Sequence, residues 1–178
     1  METIDIKKLS YEGKIDLASN NETSAELLSA LAQDEHPDIR LTVASNTNTP
    51  ANVLATLAKD QNRDVRLEVA YNTSTPSEVL ASDKESDIRK AVAENPNTPH
   101  STLVMLAKDI NLGVRASVAR NNNTPVEILV MLASDKEWWV RQAVALNENT
   151  SVDILAMLAK GDVYEVRKAV AKNENTSV

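Results

Sequence analysis

Arg40-Leu41-Thr42-Val43-Ala44-Ser45-Asn46-Thr47-Asn48-Thr49-Pro50 returns 26 residues later as Arg66-Leu67-Glu68-Val69-Ala70-Tyr71-Asn72-Thr73-Ser74-Thr75-Pro76. The anchor Asn of this stretch recurs at Asn20, Asn46, Asn72, Asn95, Asn121, Asn147 and Asn173, with spacings of 26, 26, 23, 26, 26 and 26. A fixed period of this length marks a repeat architecture. One unit is too small to bury its own apolar face, and a stack of units buries a continuous core.

Each unit reads as two short helices. The Thr three residues after the anchor is expected to cap helix A, with Pro at the first helical position, where a missing N–H costs nothing. Thr23-Ser-Ala-Glu26, Thr75-Pro-Ser-Glu78 and Thr124-Pro-Val-Glu127 have the spacing of capping boxes. Val53, Leu54, Leu57 and Ala58 then form one buried stripe. In helix B, Val65, Val69 and Ala70 share a face, and Asn72 suits a left-handed C-terminal position. Helix B spans only about two turns, which leaves room for 3₁₀ character.

Composition narrows the function. The chain has 178 residues and is 42% apolar, enough for a core, and it contains no Cys, which excludes disulfides, thiolate metal sites and a cysteine nucleophile. Nineteen Lys and Arg against 26 Asp and Glu give a net charge of -7, which disfavours nucleic acid and anionic membranes as partners. The first ten residues alternate in charge, and no stretch approaches the roughly 18 apolar residues of a membrane span. A soluble, cytoplasmic protein is expected.

The pattern Asp-x-x-x-Val-Arg-x-x-Val-Ala-x-Asn-x-x-Thr-Pro-x-x-x-Leu-x-x-Leu-Ala resembles the leucine-rich repeat variant family, which is related in architecture to HEAT and armadillo solenoids. The resemblance covers about residues 14–178. It implies an all-α, right-handed solenoid of α and short α or 3₁₀ helices without strands, serving as a binding scaffold. Residues 1–19 read as an N-terminal cap with a degenerate half-repeat, 20–172 as six two-helix repeats, and 173–178 as the start of a truncated further repeat. The apolar face left at that end is expected to meet either more repeats or another copy, as a homo-oligomer. The 72–95 unit lacks three residues in helix A, and a local change of superhelix curvature is expected there.

The regular charges are Asp34/Arg40, Asp60/Arg66, Asp83/Arg89, Asp109/Arg115 and Asp135/Arg141, six apart in each case. The resemblance to HEAT-like repeats implies a structural Asp/Arg ladder linking neighbouring units. The rival reading is an Arg track for phosphates, as in a HEAT-like nucleic-acid-binding protein. In the last unit Gly161 stands at the Asp position and Asp162 follows it, so that rung is expected to be weaker. His36 and His100 lie two to three units apart, and Gly13, Gly113 and Gly161 are isolated. Neither catalysis nor a cofactor or metal is expected.

Binding is therefore sought where units differ. On helix B the residues five and one before the anchor lie four apart and share a face: Leu67/Tyr71, Lys90/Glu94, Ala116/Arg120 and Gln142/Leu146. The resemblance implies that this face is concave. Leu112, Trp138 and Tyr164 occupy one position in three consecutive units, joined by Trp139, and form an expected aromatic ridge. A protein or peptide partner is expected at these surfaces, with an enzyme that the chain serves as an accessory subunit as a further alternative.

Overall fold

The computed structural model describes residues 5–176. Two compact units are distinguished. The first, Met1–Leu80, holds a 3₁₀ turn at Ile6–Lys8, then α1 (Tyr11–Ser19), α2 (Ala25–Leu31), α3 (Pro37–Ser45), α4 (Ala51–Leu57), α5 (Arg63–Tyr71) and a second 3₁₀ turn at Ser77–Val79. The second, Ala81–Val178, holds α6 (Ser86–Glu94), α7 (His100–Leu106), α8 (Leu112–Arg120), α9 (Val126–Leu132), α10 (Trp138–Leu146), α11 (Val152–Leu158) and α12 (Tyr164–Val170). No strand occurs among the described residues.

Within each unit the B helices pack directly on one another: α1 on α3 on α5, and α6 on α8 on α10 on α12. This close approach follows from the Val-Ala pair of the repeat. Ala44 and Ala70, and likewise Ala93, Ala119 and Ala145, are completely buried, and a larger side chain there would force adjacent backbones apart. The A helices pack alongside and contribute the large core residues, Leu28, Leu31, Leu54 and Leu57 in the first unit and Leu103, Leu106, Leu129, Leu132 and Leu155 in the second.

The structure corrects four local expectations. Helix B is α-helical throughout and spans nine residues in α3, α5, α6, α8 and α10, whereas helix A is the shorter, at seven. The repeat Thr does not cap helix A. Its hydroxyl donates backwards, from Thr49 to the Val43 carbonyl at 2.6 Å, from Thr98 to Val92 at 2.6 Å and from Thr150 to Val144 at 2.6 Å. These carbonyls belong to the last turn of helix B, beyond the reach of the regular i to i+4 ladder, and accept the N–H of the terminal Asn as well as the Thr hydroxyl, from Asn46 to Val43 at 3.2 Å for example. Ser24 and Ser151 cap α2 and α11 in its place, and α4, α7 and α9 begin directly after Pro50, Pro99 and Pro125. The Thr-to-Glu capping boxes therefore do not form. The Asn at the end of helix B is extended instead of left-handed, with φ -68° and ψ 122° at both Asn46 and Asn72, and no described residue has a positive φ. In the 72–95 unit the three-residue deletion removes most of a turn, and helix A shrinks to the 3₁₀ turn Ser77–Val79 followed by buried Leu80.

Candidate functional site

Within each unit the anchor asparagines form a polar column between successive repeats. Asn121 donates from Nδ2 to the carbonyls of Ala93 (2.8 Å) and Asn95 (3.0 Å) in the preceding repeat, and its Oδ1 accepts the N–H of Asn123 at 2.8 Å. Asn147 repeats this on Ala119 and Asn121, and Asn173 on Ala145 and Asn147. In the first unit Asn46 bonds Ala18 and Asn20, and Asn72 bonds Ala44 and Asn46. A side-chain amide carries two donors and one acceptor oxygen, which suits the junction: one donor meets a last-turn carbonyl of the previous B helix, the other adds to the carbonyl of the previous anchor Asn, which also accepts the N–H of the repeat Thr, and the oxygen takes an N–H of the following turn. The second Asn of the Asn-x-Asn segment adds an outer column, with Asn149 donating to Asn122 at 2.7 Å and Asn123 donating to Pro96.

The arginines form a third column. Arg40 grips Asp60 of the next repeat with Nε at 2.6 Å and Nη2 at 3.0 Å, Arg89 grips Asp109 at 2.6 and 2.9 Å, and Arg115 grips Asp135 at 2.7 and 3.0 Å. The six-residue spacing reflects a different bond. Nη1 of Arg40, Arg66, Arg89, Arg115 and Arg141 donates to the backbone carbonyl of Asp34, Asp60, Asp83, Asp109 and Asp135 respectively. Each Asp also caps its own turn; Asp83 Oδ1, for instance, accepts the N–H of Glu85 at 2.9 Å. In the N-terminal half-repeat, Lys14 holds the Arg position and pairs with Asp34 at 2.7 Å.

The expected binding residues fall into four groups. Tyr71, Arg120, Leu146, Leu112, Trp139 and Tyr164 are exposed, Tyr164 most of all at 62%. Trp138 is half-buried and meets Trp139 edge-on, with ring centroids 5.1 Å apart. Lys90 and Glu94 are tied to each other at 3.5 Å, and Glu94 also accepts from Ser117. Leu67 is half-buried and Ala116 buried, because the position five before the anchor leans toward the neighbouring B helix; it is not a uniformly open face. Leu112, Trp138 and Tyr164 are the first residues of α8, α10 and α12.

A family model described as leucine rich repeat variant matches residues 112–137. A solved structure described as a leucine-rich repeat variant with a novel repetitive protein structural motif is 30% identical, covers 93% of this chain and is itself covered over 67% of its length, with a TM-score of 0.67. This chain belongs to the leucine-rich repeat variant family. No curated protein matches it. As a leucine-rich repeat variant, it has the repeat-scaffold architecture that its sequence period implies. No described helix is long and apolar enough to cross a membrane, and no cluster of three metal-ligating side chains occurs among the described residues.

Two features of this leucine-rich repeat variant were missed in the sequence reading. One is the Asn column. The other is a row on the A helices, where Met105, Met131 and Met157 stand 26 residues apart and are all exposed, beside exposed Val104, Val126, Val130 and Val152. Equivalence of position is the sequence signal for this row, and it is masked by the core stripe that runs along the same short helices.

The Arg–Asp ladder makes stability depend on pH. Burial alone would push the carboxyls of Asp60, Asp109 and Asp135 up, but the paired guanidinium and the capping N–H overcome it and hold each below the usual carboxylate range. Asp34 is lowered in the same way by Lys14 and the His36 N–H. A group depressed in the folded state stabilises the fold above its unfolded value, about 3.9 for Asp, and that stabilisation is lost as pH falls through the folded value. Glu68, raised by burial, works weakly in the opposite sense. Thermal melts should thus be nearly constant from neutral pH to about 5 and drop steeply below about 4. A melting temperature that stays level through the acid range would contradict this.

Proposed function

We propose that this chain is a non-catalytic scaffold of the cytoplasm that binds a protein or peptide partner through the second unit. The contact surface is the row of helix B starts, Leu112, Trp138, Trp139 and Tyr164, extended by the methionines of the A helices. The observation that carries this reading is the row itself. Three consecutive repeats place large apolar side chains at a position where the earlier repeats have Pro37, Arg63 and Ser86, and they leave Leu112, Trp139 and Tyr164 largely in solvent. Buried packing gives no reason for them, and exposed aromatics are the commonest anchors of interfaces. The methionines suit the same role because their unbranched, polarizable side chains adapt to a partner's shape. Met157 adjoins the row: it lines one cavity with Val163, the residue before Tyr164.

The arginine column gives little support to a nucleic-acid partner, since the forks of Arg40, Arg89 and Arg115 are already filled by carboxylates. Affinity capture from extracts of the native host tests the proposal. A partner held by the wild-type chain should bind a Trp139→Ala, Tyr164→Ala double variant about 10³-fold weaker, given roughly 2 kcal/mol for each of the two interface anchors. Tyr71→Ala, in the first unit, should bind normally. Equal retention by all three chains would reject this surface.

A further inference from the structure

Arg141 holds the pose of the paired arginines with an empty fork. Its Nη1 donates to the carbonyls of Asp135 (2.7 Å) and Lys136 (3.1 Å), as Nη1 of Arg115 does to Asp109 (2.8 Å) and Ile110 (3.1 Å). In the Arg115 rung the remaining Nε and Nη2 clasp Asp135. In the Arg141 rung the matching position is Gly161, and among the described residues no carboxylate lies within ion-pairing distance of Arg141, the exposed Asp162 included.

The backbone does not demand glycine at 161. No described glycine has a positive φ, and a Cβ built there would meet only the Leu158 carbonyl, at 3.3 Å, a contact relieved by a few tenths of an ångström. A cavity of about 130 Å³ lies at this rung, and its walls include Arg141, Gly161, Met157, Val163 and Val166.

We propose that this cavity is a binding site for a carboxylate carried on a short branched apolar group. A planar guanidinium with two parallel N–H groups matches a carboxylate bidentately, and the two backbone bonds on Nη1 fix its orientation before any ligand arrives. The only charged side chain in the wall is that single arginine, so a singly charged acid is matched better than a phosphate dianion. Met157, Val163 and Val166 give the alkyl group an apolar surface and keep water from competing for the fork. The ligand is either a free branched-chain acid or the carboxyl terminus of a peptide ending in such a residue. The site does not rest on the partner surface proposed above and is tested separately.

Isovalerate and N-acetyl-alanyl-valine, the latter as free acid and as amide, are titrated into the full chain while the Gly161 amide is followed by NMR. Saturable shifts are expected with isovalerate, with the peptide acid, or with both; tighter binding of the peptide acid than of isovalerate marks a peptide source, and the reverse a free acid. The amide should be inert. Arg141→Lys, which keeps the charge and loses the fork, should bind about tenfold or more weaker. Gly161→Asp, which fills the fork from within, should abolish binding and raise the melting temperature by about 2–4 °C. Shifts that grow linearly without saturation for both acids, or a Gly161→Asp chain that binds as the wild type does, would overturn the site.

Discussion

Replacing Asn121 by Ala is expected to lower the stability of the second unit by about 3–5 kcal/mol, a fall of roughly 10–15 °C in melting temperature for a chain of this size. Asn121 is buried, and its amide satisfies two carbonyls of the previous repeat and one N–H of its own turn. Alanine strips the Ala93 carbonyl and the Asn123 N–H of the side-chain partner and leaves the Asn95 carbonyl with the Thr98 N–H alone, and each orphaned group costs about 1–3 kcal/mol. Asn121→Asp should be worse at neutral pH. A carboxylate has no donors, and it would face the Ala93 and Asn95 oxygens directly. Its excess penalty over alanine should shrink as the solution is acidified toward pH 4, since the protonated acid regains one donor. Asn175→Ala, on the exposed outer column, should change the melting temperature by less than about 3 °C. Chemical and thermal denaturation of the three variants checks the order Asp, then Ala, then the outer site.

That column shows where the sequence was readable and where it was not. The period, the two helices per unit and the apolar stripes were legible because packing positions repeat, and Val65, Val69, Leu54 and Leu57 are buried as their spacing required. The roles of Asn and Thr were misjudged because helix-capping rules are local. They weigh what a side chain can do for the next three or four residues, and offer no account of a bond from Asn46 to a carbonyl 28 residues earlier. Yet the 26-residue recurrence of Asn is itself the repeat of that ladder. Lys14 could also have been recognised, since it stands six before Asn20 in the Arg position. The exposed methionines were obscured because a seven-residue helix makes barely two turns: its third, fourth and seventh residues reach the core, as in Ile128, Leu129 and Leu132, while Val130 and Met131 turn outward. At Gly161 the altered rung was visible in the sequence, but the retained pose of Arg141 is set by carbonyls, which no residue pattern displays.

Arg89→Ala should cost about 3–5 kcal/mol, or roughly 10 °C, because it strands the carboxylate of Asp109, whose side chain is only 9% exposed. What is lost is less the attraction between the pair than the solvation Asp109 has given up to make it. Arg141→Ala removes the same side chain and the same kind of pair of backbone bonds, yet no carboxylate faces it, so about 1–2 kcal/mol is expected. The difference between these substitutions isolates the cost of a buried unpaired charge, since the helix position and the backbone contacts are equivalent. Adding Asp109→Asn to Arg89→Ala removes the stranded charge while keeping a polar side chain of similar shape, and should restore about 1 kcal/mol or more. Denaturant titrations of the two single variants and the double variant supply the comparison. If Arg141→Ala proves as damaging as Arg89→Ala, the ladder draws its stability from the arginine's backbone bonds, and its Asp partners are secondary.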